Sequence, residues 1–562
     1  MTNNNAVYLT PLEKVQNWVK TTPNSVFLRQ PVDGEYKEFT WKEVDNQARR
    51  IASALLGLGL EKGDRVAILA KNSAEWFITD YAIQLASLIS VPLYPMQSPE
   101  SIEYVINHSE SKAIIIGKLD GAKAMESGIP ANVTRIGMPY SIDMEIEHKW
   151  NDLLAKYEPT TAQPVHGMDD LMTLIYTSGT TGNPKGVMHT YGSFSFGAQN
   201  AADTLPVGPK DRFLSFLPLS HIAERFMVLG CSTYGGATVT FVESLDTFAQ
   251  NLQDTLPTVF FAVPRLWKKF QQQISAKMPE EKLNKLLRVP LLNRIVRGKI
   301  KKALGLNKAR MVVSGASPIA KSLLEWYAKI GIDINEGYGM TENLAYGPAI
   351  NMPGAVKLGS VGSIKSLPHN EVRITDEGEI IVRSPSLMKG YYLEPEKTAE
   401  TIQDGWLHTG DRGEIDSDGY LTITGRIKDV FKTSKGKFVQ PNKIECLLQY
   451  NELIEQVCIA GSGAPQPICI IELSEAAKLK IKDNKQAIED NIRATIKKVN
   501  QQLEHHEIIE RCFIIADIWT TENGLLTPTM KIKRNIVEKH YTALCDQHST
   551  NKTDIIWASA QL

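Results

Sequence analysis

An apolar run that leads directly into a loop of small and hydroxyl-bearing residues constrains this chain more than any other stretch. Residues 171–175 predict a buried strand, and residues 176–186 follow as Tyr-Thr-Ser-Gly-Thr-Thr-Gly-Asn-Pro-Lys-Gly. Glycines allow close approach to the backbone, hydroxyl and N–H groups donate to phosphate oxygens, and lysine adds a positive charge. The loop therefore predicts a polyphosphate site. It is not a Walker A loop, because Gly186 follows Lys185 where that motif requires Ser or Thr.

The sequence on both sides of this loop alternates helical and strand patterns. The segment Thr-Trp-Lys-Glu at 40–43 predicts a capping box that begins an amphipathic helix ending near residue 58. Short apolar runs predict strands separated by helices, at 66–70, 113–116, 173–176, 212–216, 239–242, 258–262 and 311–313. This pattern indicates an α/β fold, with a large N-terminal domain of parallel-rich sheets covered by helices.

The pattern changes near residue 370. Apolar and polar residues then alternate around Asp-Glu-Gly and Asp-Gly turns, at 371–374, 378–383 and 420–424, which predicts a subdomain of antiparallel strands. We expect a large domain over residues 1–425, a boundary at 426–429 and a small α+β domain over 430–562. The polar chain beyond Cys545 is expected to be poorly ordered.

The composition indicates a globular protein with an ordinary core. Of 562 residues, 43% are hydrophobic and 22% charged, and the net charge of −1 gives no field that would favour nucleic acid. Six cysteines without a Cys-x-x-Cys pair argue against a zinc ribbon and suit a reducing compartment, so we expect a cytoplasmic protein. The N-terminus lacks a signal-peptide pattern, and the most apolar long window, 76–95, is too short and too interrupted to span a bilayer.

One basic segment, residues 282–310, has an unusual composition. It holds ten Lys or Arg and no Asp or Glu, with apolar residues interleaved at helical spacing. Two interpretations stay open. The segment is either a helix pair packed on the large domain, or a basic amphipathic surface that lies on the inner face of an anionic membrane.

Five further motifs follow the loop along the chain. They are Pro-Leu-Ser-His-Ile-Ala-Glu-Arg (218–225), Glu-Gly-Tyr-Gly-Met-Thr-Glu (336–342), Trp-Leu-His-Thr-Gly-Asp (406–411), Gly-Arg-Ile-Lys-Asp (425–429) and Leu-Thr-Pro-Thr-Met-Lys (526–531). With the loop, they resemble the adenylate-forming (AMP-binding) enzyme superfamily of acyl-CoA synthetases, firefly luciferase and peptide-synthetase adenylation domains. The forms at 218–225, 263–268 and 527–534 are most similar to the long-chain fatty acyl-CoA synthetase branch.

The resemblance implies an ATP- and Mg²⁺-dependent ligase with two half-reactions. A fatty acid carboxylate first attacks the α-phosphorus of ATP to give acyl-adenylate and pyrophosphate, and CoA then displaces AMP. The residues implied for the β- and γ-phosphates are Thr177, Ser178, Gly179, Thr180, Thr181, Gly182 and Lys185. Thr177 and Glu342 are implied for Mg²⁺.

The same resemblance implies a nucleotide site and two catalytic side chains. The residues implied for adenine, ribose and α-phosphate are Gly315, Ala316, Ser317, Glu336, Gly337, Tyr338, Gly339, Thr341, Asp411 and Arg426, with Tyr338 stacking on adenine and Asp411 binding the ribose hydroxyls. His221 is implied to position the acyl group. Lys531 is implied to bind the α-phosphate and the attacking carboxylate, so its loss is expected to affect adenylation far more than thioester formation.

The second half-reaction implies a mobile C-terminal domain. Lys428 occupies the family's hinge position within 426–429, and rotation there would bring in the basic loop residues Lys432, Lys435 and Lys437 for the nucleotide and CoA. Two positions depart from the family pattern. Phe438 stands where some long-chain members have Trp, and His189-Thr-Tyr-Gly replaces the more usual Ser-His-x-Asn; we interpret the latter as a tolerated change on the following helix.

Three alternatives stay open. A ligase that loads acyl carrier protein shares the chemistry, although the spacing from hinge to Lys531 shows no obvious insertion and favours CoA. A non-catalytic nucleotide- or lipid-binding relative would predict broken motifs, whereas Lys185, Glu342, Asp411 and Lys531 are all present. A luciferase-type oxygenase has no support of its own. The expected partners are fatty acid, ATP and CoA and no nucleic acid, and the oligomeric state, a homodimer included, is left open.

Overall fold

The computed structural model describes residues 8–177, 183–527, 530–548 and 554–558. Helices and strands alternate over most of these residues, as the sequence predicts. The helices are α1 (Pro11–Thr21), α2 (Trp41–Gly57), α3 (Ala74–Leu85), α4 (Pro99–Ser109), α5 (Ala122–Met125), α6 (Trp150–Lys156), α7 (Tyr191–Thr204), α8 (Ile222–Glu224), α9 (Cys231–Gly235), α10 (Phe248–Thr255), α11 (Pro264–Lys277), α12 (Glu280–Leu287), α13 (Pro290–Ala303), α14 (Lys321–Lys329), α15 (Pro395–Thr401), α16 (Pro441–Leu448), α17 (Glu475–Asn500) and α18 (Arg534–Gln547).

The strands belong to several sheets that are described below. In chain order they are β1 (Val26–Val32), β2 (Glu35–Thr40), β3 (Arg65–Leu69), β4 (Ile89–Leu93), β5 (Ser111–Ile116), β6 (Thr134–Gly137), β7 (His148–Lys149), β8 (Leu171–Thr177), β9 (Lys185–Thr190), β10 (Arg212–Ser215), β11 (Thr238–Phe241), β12 (Val259–Ala262), β13 (Met311–Ser314), β14 (Ile334–Tyr338), β15 (Ala349–Ile350), β16 (Glu371–Ile374), β17 (Glu379–Arg383), β18 (Gly390–Tyr391), β19 (Ile402–Gln403), β20 (Trp406–Ile415), β21 (Leu421–Arg426), β22 (Phe431–Lys432), β23 (Phe438–Val439), β24 (Ile454–Ala460), β25 (Ile468–Leu473), β26 (Arg511–Ile515) and β27 (Ile555–Ala558).

An eight-stranded sheet supports the glycine-rich loop. Its order is β18-β9-β8-β4-β3-β5-β6-β7, and all neighbours from β8 to β7 are parallel, whereas β9 and β18 are antiparallel. Two further sheets, β10-β11-β1-β2 and β12-β13-β14-β15, complete the α/β part. Since β12, β13 and β14 are also parallel, their carboxyl ends form one edge from which ligand-binding loops leave the sheet.

The predicted antiparallel subdomain is confirmed. Strands β16, β17, β20 and β19 pair in that order, with β21 on β20, and every pair is antiparallel. Strand β21 ends at Arg426, and the turn after it leads to the first C-terminal hairpin, β22–β23.

The C-terminal part has its own sheet, β24-β25-β26-β27, covered by α16, α17 and α18. The expectation that the chain beyond Cys545 is poorly ordered is wrong for residues 554–558, which form β27 in parallel register with β26. The physical reason is apolar burial, because Ile555 and Ile556 are buried against that sheet.

The basic segment forms the predicted helix pair, α12 and α13. Its own residues Leu283, Val296 and Ile300 are buried in the core, but Leu291 is 81% exposed and Ile295 is 51% exposed. The pair is therefore packed on the large domain and still presents apolar side chains to solvent. None of the helices within the described residues combines the length and apolarity needed to cross a bilayer.

A fully buried ion pair ties the end of the 218–225 motif to the central sheet. Arg225 pairs with Asp80 of α3 and donates to Thr173 Oγ1 of β8 at 2.8 Å and to Ser90 Oγ of β4 at 2.9 Å. Both charged side chains are inaccessible to solvent. Asp80 also accepts from Gln84 Nε2 at 3.2 Å. Because this buried network holds the Arg225 guanidinium in place, it fixes the segment that follows His221.

Replacing Arg225 with methionine should leave the buried Asp80 carboxylate without a counter-charge. We expect the free energy of unfolding of the large domain to fall by about 3–5 kcal/mol, measured from its transition in urea. Lys123→Met, which removes a surface partner of Glu126, is the control and should leave the transition unchanged. Equal transitions for the two variants would contradict a structural role for the buried pair.

Candidate active site

A cavity of about 2060 Å³ lies between the large N-terminal part and the C-terminal part. It opens at the carboxyl ends of β8, β13 and β14, where loops leave parallel strands. The predicted residues that line it are Thr177, Lys185, His221, Gly315, Ala316, Ser317, Glu336, Gly337, Tyr338, Gly339, Thr341, Glu342, Asp411, Arg426, Lys428 and Lys531. Ser178, Gly179, Thr180, Thr181 and Gly182 lie outside the described residues. Motifs far apart in sequence thus meet at one site.

The lysine of the glycine-rich loop is connected to Glu342 through an aromatic side chain. Thr177 and Lys185 are paired at the end of the β8–β9 hairpin nearest its connecting loop. Lys185 Nζ lies 4.8 Å from the centroid of the Tyr391 ring, and the Tyr391 hydroxyl donates to Glu342 Oε1 at 2.8 Å. Sequence reasoning missed Tyr391, since it belongs to none of the motifs and reaches the site only because β18 pairs with β9.

The turn that carries Thr341 and Glu342 is held by a buried histidine. His189 Nε2 lies 2.7 Å from the Thr341 carbonyl oxygen, and its Nδ1 lies 3.3 Å from Ser193 Oγ. Burial lowers the pKa of His189 to about 4, so the ring is neutral near pH 7. A carbonyl only accepts hydrogen bonds, and Nε2 therefore carries the proton. The interpretation of the His189 departure as a tolerated change on the following helix is wrong, since His189 lies on β9 and holds the Thr341 carbonyl.

The Asp411 carboxylate is engaged on both oxygens. The Tyr338 hydroxyl donates to Asp411 Oδ2 at 2.6 Å, and Arg426 Nε pairs with Asp411 Oδ1 at 3.1 Å. Burial and the Asp411 charge raise the pKa of Tyr338 well above its usual value, so the phenol remains a donor. Three residues predicted separately for adenine, ribose and phosphate therefore form one hydrogen-bonded unit.

The ends of β13 and β14 approach each other closely beside this unit. A Cβ atom on Gly315 would lie 3.1 Å from the Gly337 carbonyl oxygen, so a larger residue would push the strand ends apart. Ala316 adopts a φ of +67°, a region that residues other than glycine seldom occupy. Glu336 is buried, and burial raises the pKa of its carboxyl to about 8. These features form a tight wall of the cavity.

His221 caps the short helix α8 with its own ring. Its Nδ1 accepts a hydrogen bond from the Ala223 backbone N–H at 3.2 Å. Burial, with a smaller contribution from nearby Lys531, lowers the pKa of His221 to about 3. The imidazole is consequently neutral with its proton on Nε2, which suits a hydrogen-bond donor and not a general base.

Lys531 enters the cavity from the C-terminal part. Burial and the nearby Arg426 guanidinium lower the pKa of Lys531, while Asp411 and Glu342 oppose part of that shift. Solvent reaches its side chain through the cavity although protein groups surround it. The ammonium thus lies among the groups that the sequence predicts for ATP.

The loop that bears Lys531 is anchored on both sides. The Lys531 backbone N–H donates to Thr527 Oγ1 at 3.1 Å. Three residues later, Arg534 forms a two-pronged pair with Glu445 of α16, at 2.6 Å to Oε1 and 2.8 Å to Oε2, and donates to Asn442 Oδ1 at 3.1 Å. The position of Lys531 therefore depends on α16.

The predicted CoA-binding lysines are not brought to the cavity. Lys432, Lys435 and Lys437 are exposed and lie outside its lining. Lys432 Nζ lies 4.8 Å from the Phe438 ring centroid, and Phe438 itself is 58% exposed. The described arrangement assembles the groups expected for the first half-reaction and keeps those expected for the second apart from it.

Part of the cavity wall is apolar and begins close to His221. The side chains come from α7 and the residue after it, the segment 225–230, β12 and β13, and are Ala201, Leu205, Phe226, Met227, Phe261 and Val313. Sequence reasoning could not select them, because apolar residues at helix and strand spacing are more often core. The cavity can accept a molecule with a polar head and an apolar body.

The metal-ligating capacity of the site is small. Across the part of the chain that the structure describes, no cluster of three or more His, Cys, Asp or Glu side chains offers a complete metal site. Magnesium typically takes one or two protein carboxylates and completes its shell with phosphate oxygens and water. One carboxylate at Glu342, with the Thr177 hydroxyl lining the same cavity, fits an ion that arrives with a polyphosphate.

Comparison with known proteins agrees with this geometry. Residues 15–392 match the AMP-binding enzyme family, and residues 428–552 match the AMP-binding enzyme C-terminal domain. The long-chain-fatty-acid–CoA ligase FadD15 of Mycobacterium bovis is 31% identical over 93% of this chain and 94% of its own, and human long-chain-fatty-acid–CoA ligase 1 is 28% identical over 96% and 86%.

A solved structure shows the same fold. The adenylation domain of a carboxylate reductase from Mycobacterium chelonae superposes with a TM-score of 0.82 at 22% identity, covering 97% of this chain and 91% of that one. The family match covers more than half of the chain, and the mycobacterial relative aligns over nearly its full length. The chain belongs to the AMP-binding, adenylate-forming enzyme superfamily, in the branch of the long-chain fatty acyl-CoA synthetases.

Proposed function

We propose that this enzyme activates a long-chain fatty acid with ATP and transfers the acyl group to CoA. The products are acyl-CoA, AMP and pyrophosphate. The observation that carries the proposal is a single cavity that joins the nucleotide-site groups, Lys531 and an apolar wall. The similar proteins from Mycobacterium bovis and human, both long-chain-fatty-acid–CoA ligases, support the same activity.

In the first half-reaction, a carboxylate oxygen bonds to the α-phosphorus of ATP while the bond to pyrophosphate breaks. Two anions must approach each other, so the barrier depends on positive charge placed in advance. Lys531 supplies that charge near the α-phosphate and the attacking oxygen, and Lys185 supplies it near the β- and γ-phosphates. The neutral His221 ring donates from Nε2 and orients the carboxylate.

The nucleotide is held by groups that are already organised. Asp411, fixed by Tyr338 and Arg426, accepts from the ribose hydroxyls, and the ring of Tyr338 covers adenine beside Gly315. Thr341 contacts the α-phosphate. Glu342 and Thr177 hold Mg²⁺, which when bound offsets negative charge on the phosphates.

The second half-reaction requires another arrangement of the C-terminal part. Residues 426–429 run from the last residue of β21 to the turn before the β22–β23 hairpin. This position supports a hinge there, between domains that we place at 1–425 and 430–562. Rotation there removes Lys531 from the cavity and brings Lys432, Lys435 and Lys437 toward the nucleotide and CoA. The CoA thiolate then attacks the acyl carbonyl, and AMP leaves.

We place the protein in the cytoplasm. The composition of its basic helix pair, α12 and α13, supports a contact with the inner face of a membrane. Four cations line a shallow groove between α12 and α13, namely Arg288, Arg294, Arg297 and Lys301. Leu291 and Ile295 are exposed on the same pair. Positive charge beside apolar side chains is the composition that binds anionic lipid surfaces, where long-chain fatty acids dissolve.

The activity is tested by mass spectrometry of products from purified protein, ATP, Mg²⁺ and a mixture of acids from acetate to arachidate, with and without CoA. We expect long-chain acyl-CoA and AMP only when CoA is present, because the apolar wall favours long chains. Accumulation of acyl-adenylate that CoA does not consume would contradict the acceptor and point to acyl carrier protein. No acid-dependent AMP at all would contradict adenylation.

Loss of the His189 hydrogen bond should slow adenylation. His189→Leu leaves the Thr341 carbonyl without its donor, and we expect kcat for pyrophosphate exchange to fall about tenfold, with little change in KM for the fatty acid. His189→Gln, which retains an N–H at similar reach, should recover most of the rate. If the two variants behave alike, the hydrogen bond is not what matters.

Membrane contact should depend on the exposed apolar residues of α13. The double variant Leu291→Gln, Ile295→Gln should bind phosphatidylglycerol vesicles less than the unmodified enzyme in a sedimentation assay, and binding should weaken with salt. Leu245→Gln, at a residue that is 90% exposed elsewhere, serves as the matched control. Equal binding to phosphatidylcholine vesicles, or no effect of the double variant, would refute this contact.

A further inference from the structure

Helix α11 of the large domain contacts the C-terminal domain through two cationic side chains. Lys268 Nζ donates to the backbone carbonyls of Asn451 at 3.1 Å and Ile454 at 3.0 Å. One turn earlier on the same helix, Arg265 pairs with Glu455. Two neighbouring cations therefore fasten the segment 451–455 to the large domain.

One carbonyl that Lys268 binds, that of Asn451, belongs to the turn that connects α16 to β24, and the other, that of Ile454, belongs to the first residue of β24. Asn451 is buried, and its side-chain amide donates to Asn491 Oδ1 at 2.7 Å and to Thr495 Oγ1 at 2.8 Å, both on α17. The turn is thus joined to both α16 and α17. A contact made at this turn therefore positions the C-terminal domain as a whole.

The same helix α16 determines where Lys531 lies. Glu445 of α16 accepts from the Ile459 N–H at 2.7 Å and holds Arg534, three residues after Lys531. A continuous set of hydrogen bonds therefore leads from Lys268 through the 451–454 turn and α16 to the Lys531 loop. The contact lies at the edge of the cavity, since Lys268 and Arg265 both line it.

Most Lys268 side chains stay protonated near pH 7 despite their environment. Burial lowers the pKa of Lys268 to about 8, and the Glu455 and Glu452 carboxylates oppose part of that effect. An ammonium that donates to two carbonyls is a stronger bond than a neutral donor would make. Methionine has similar length and no donor, so it removes the contact with little change in volume.

We propose that Lys268, assisted by Arg265, is a positioning residue for the first half-reaction, holding the C-terminal domain so that Lys531 stays in the cavity. This inference rests on the proposed two-step ligase activity. The contact must break before the domain rotates for thioester formation. Lys268 therefore biases the enzyme toward adenylation and acts on the chemistry only through Lys531.

The test measures the two half-reactions separately in the full-length enzyme. ATP–pyrophosphate exchange with palmitate reports the first, and formation of palmitoyl-CoA from preformed palmitoyl-adenylate reports the second. For Lys268→Met we expect exchange to fall about tenfold, with thioester formation unchanged or faster. Lys268→Arg should restore exchange, because a guanidinium donates to two acceptors. Lys269→Met, at the exposed neighbour on α11, should leave both rates unchanged.

The outcomes separate this inference from the proposed function. If the unmodified enzyme shows no palmitate-dependent exchange, the proposed function fails. If it does and Lys268→Met matches it in both assays, the positioning role is wrong. A parallel fall in both half-reactions would also overturn it, since that marks general damage. Glu455→Gln, which weakens the neighbouring pair from the other domain, should shift the ratio of the two rates in the same direction by less.

Discussion

The proposed adenylation chemistry depends on the position of one ammonium group. Lys531 belongs to the small domain, yet its pKa is influenced by Arg426, Asp411 and Glu342, all contributed by the other side of the cavity. Joining a carboxylate to a triphosphate requires positive charge at the reacting atoms, and a charge fixed beforehand costs no reorganisation during the reaction. The same charge would hinder the second half-reaction if Lys531 could not leave the cavity. Placing it on a separate domain meets both requirements.

The two sides of the cavity differ in how they are held. On the large domain, buried groups such as the Arg225–Asp80 pair and the His189–Thr341 hydrogen bond fix the site to the sheet. Between the domains, Lys268 is partly buried, whereas the Arg265–Glu455 pair beside it is open to solvent. Bonds in a buried, dry environment are costly to break, whereas a contact next to solvent can exchange protein for water partners. That difference supports the proposed rotation of the small domain beside a fixed wall of the cavity.

The sequence predicted much of this arrangement because local signals carried it. The capping box at residue 40, the strand before the glycine-rich loop and the alternation near residue 370 depend on neighbours in the chain. The predicted site residues from Thr177 to Lys531 line one cavity, apart from the basic loop lysines and the part of the glycine-rich loop outside the described residues. Their chemical roles stay predictions.

What sequence reasoning missed depends on distant contacts. Tyr391 reaches Glu342 only through strand pairing, His189 meets Thr341 across 152 residues, and Lys268 meets Asn451 across 183. No spacing pattern in the sequence predicts any of these three contacts. The strand Ile555–Ala558 was missed for a related reason, since its short apolar run becomes a strand only when β26 offers an edge.

The most direct measurement of the central claim compares the two half-reactions in Lys531→Ala. Pyrophosphate exchange with ATP and palmitate should fall by about 10²-fold or more, while transfer of a preformed palmitoyl-adenylate to CoA should remain close to that of the unmodified enzyme. If both steps keep their rates, or if transfer is lost as severely as exchange, Lys531 is not the charge that completes the adenylation site.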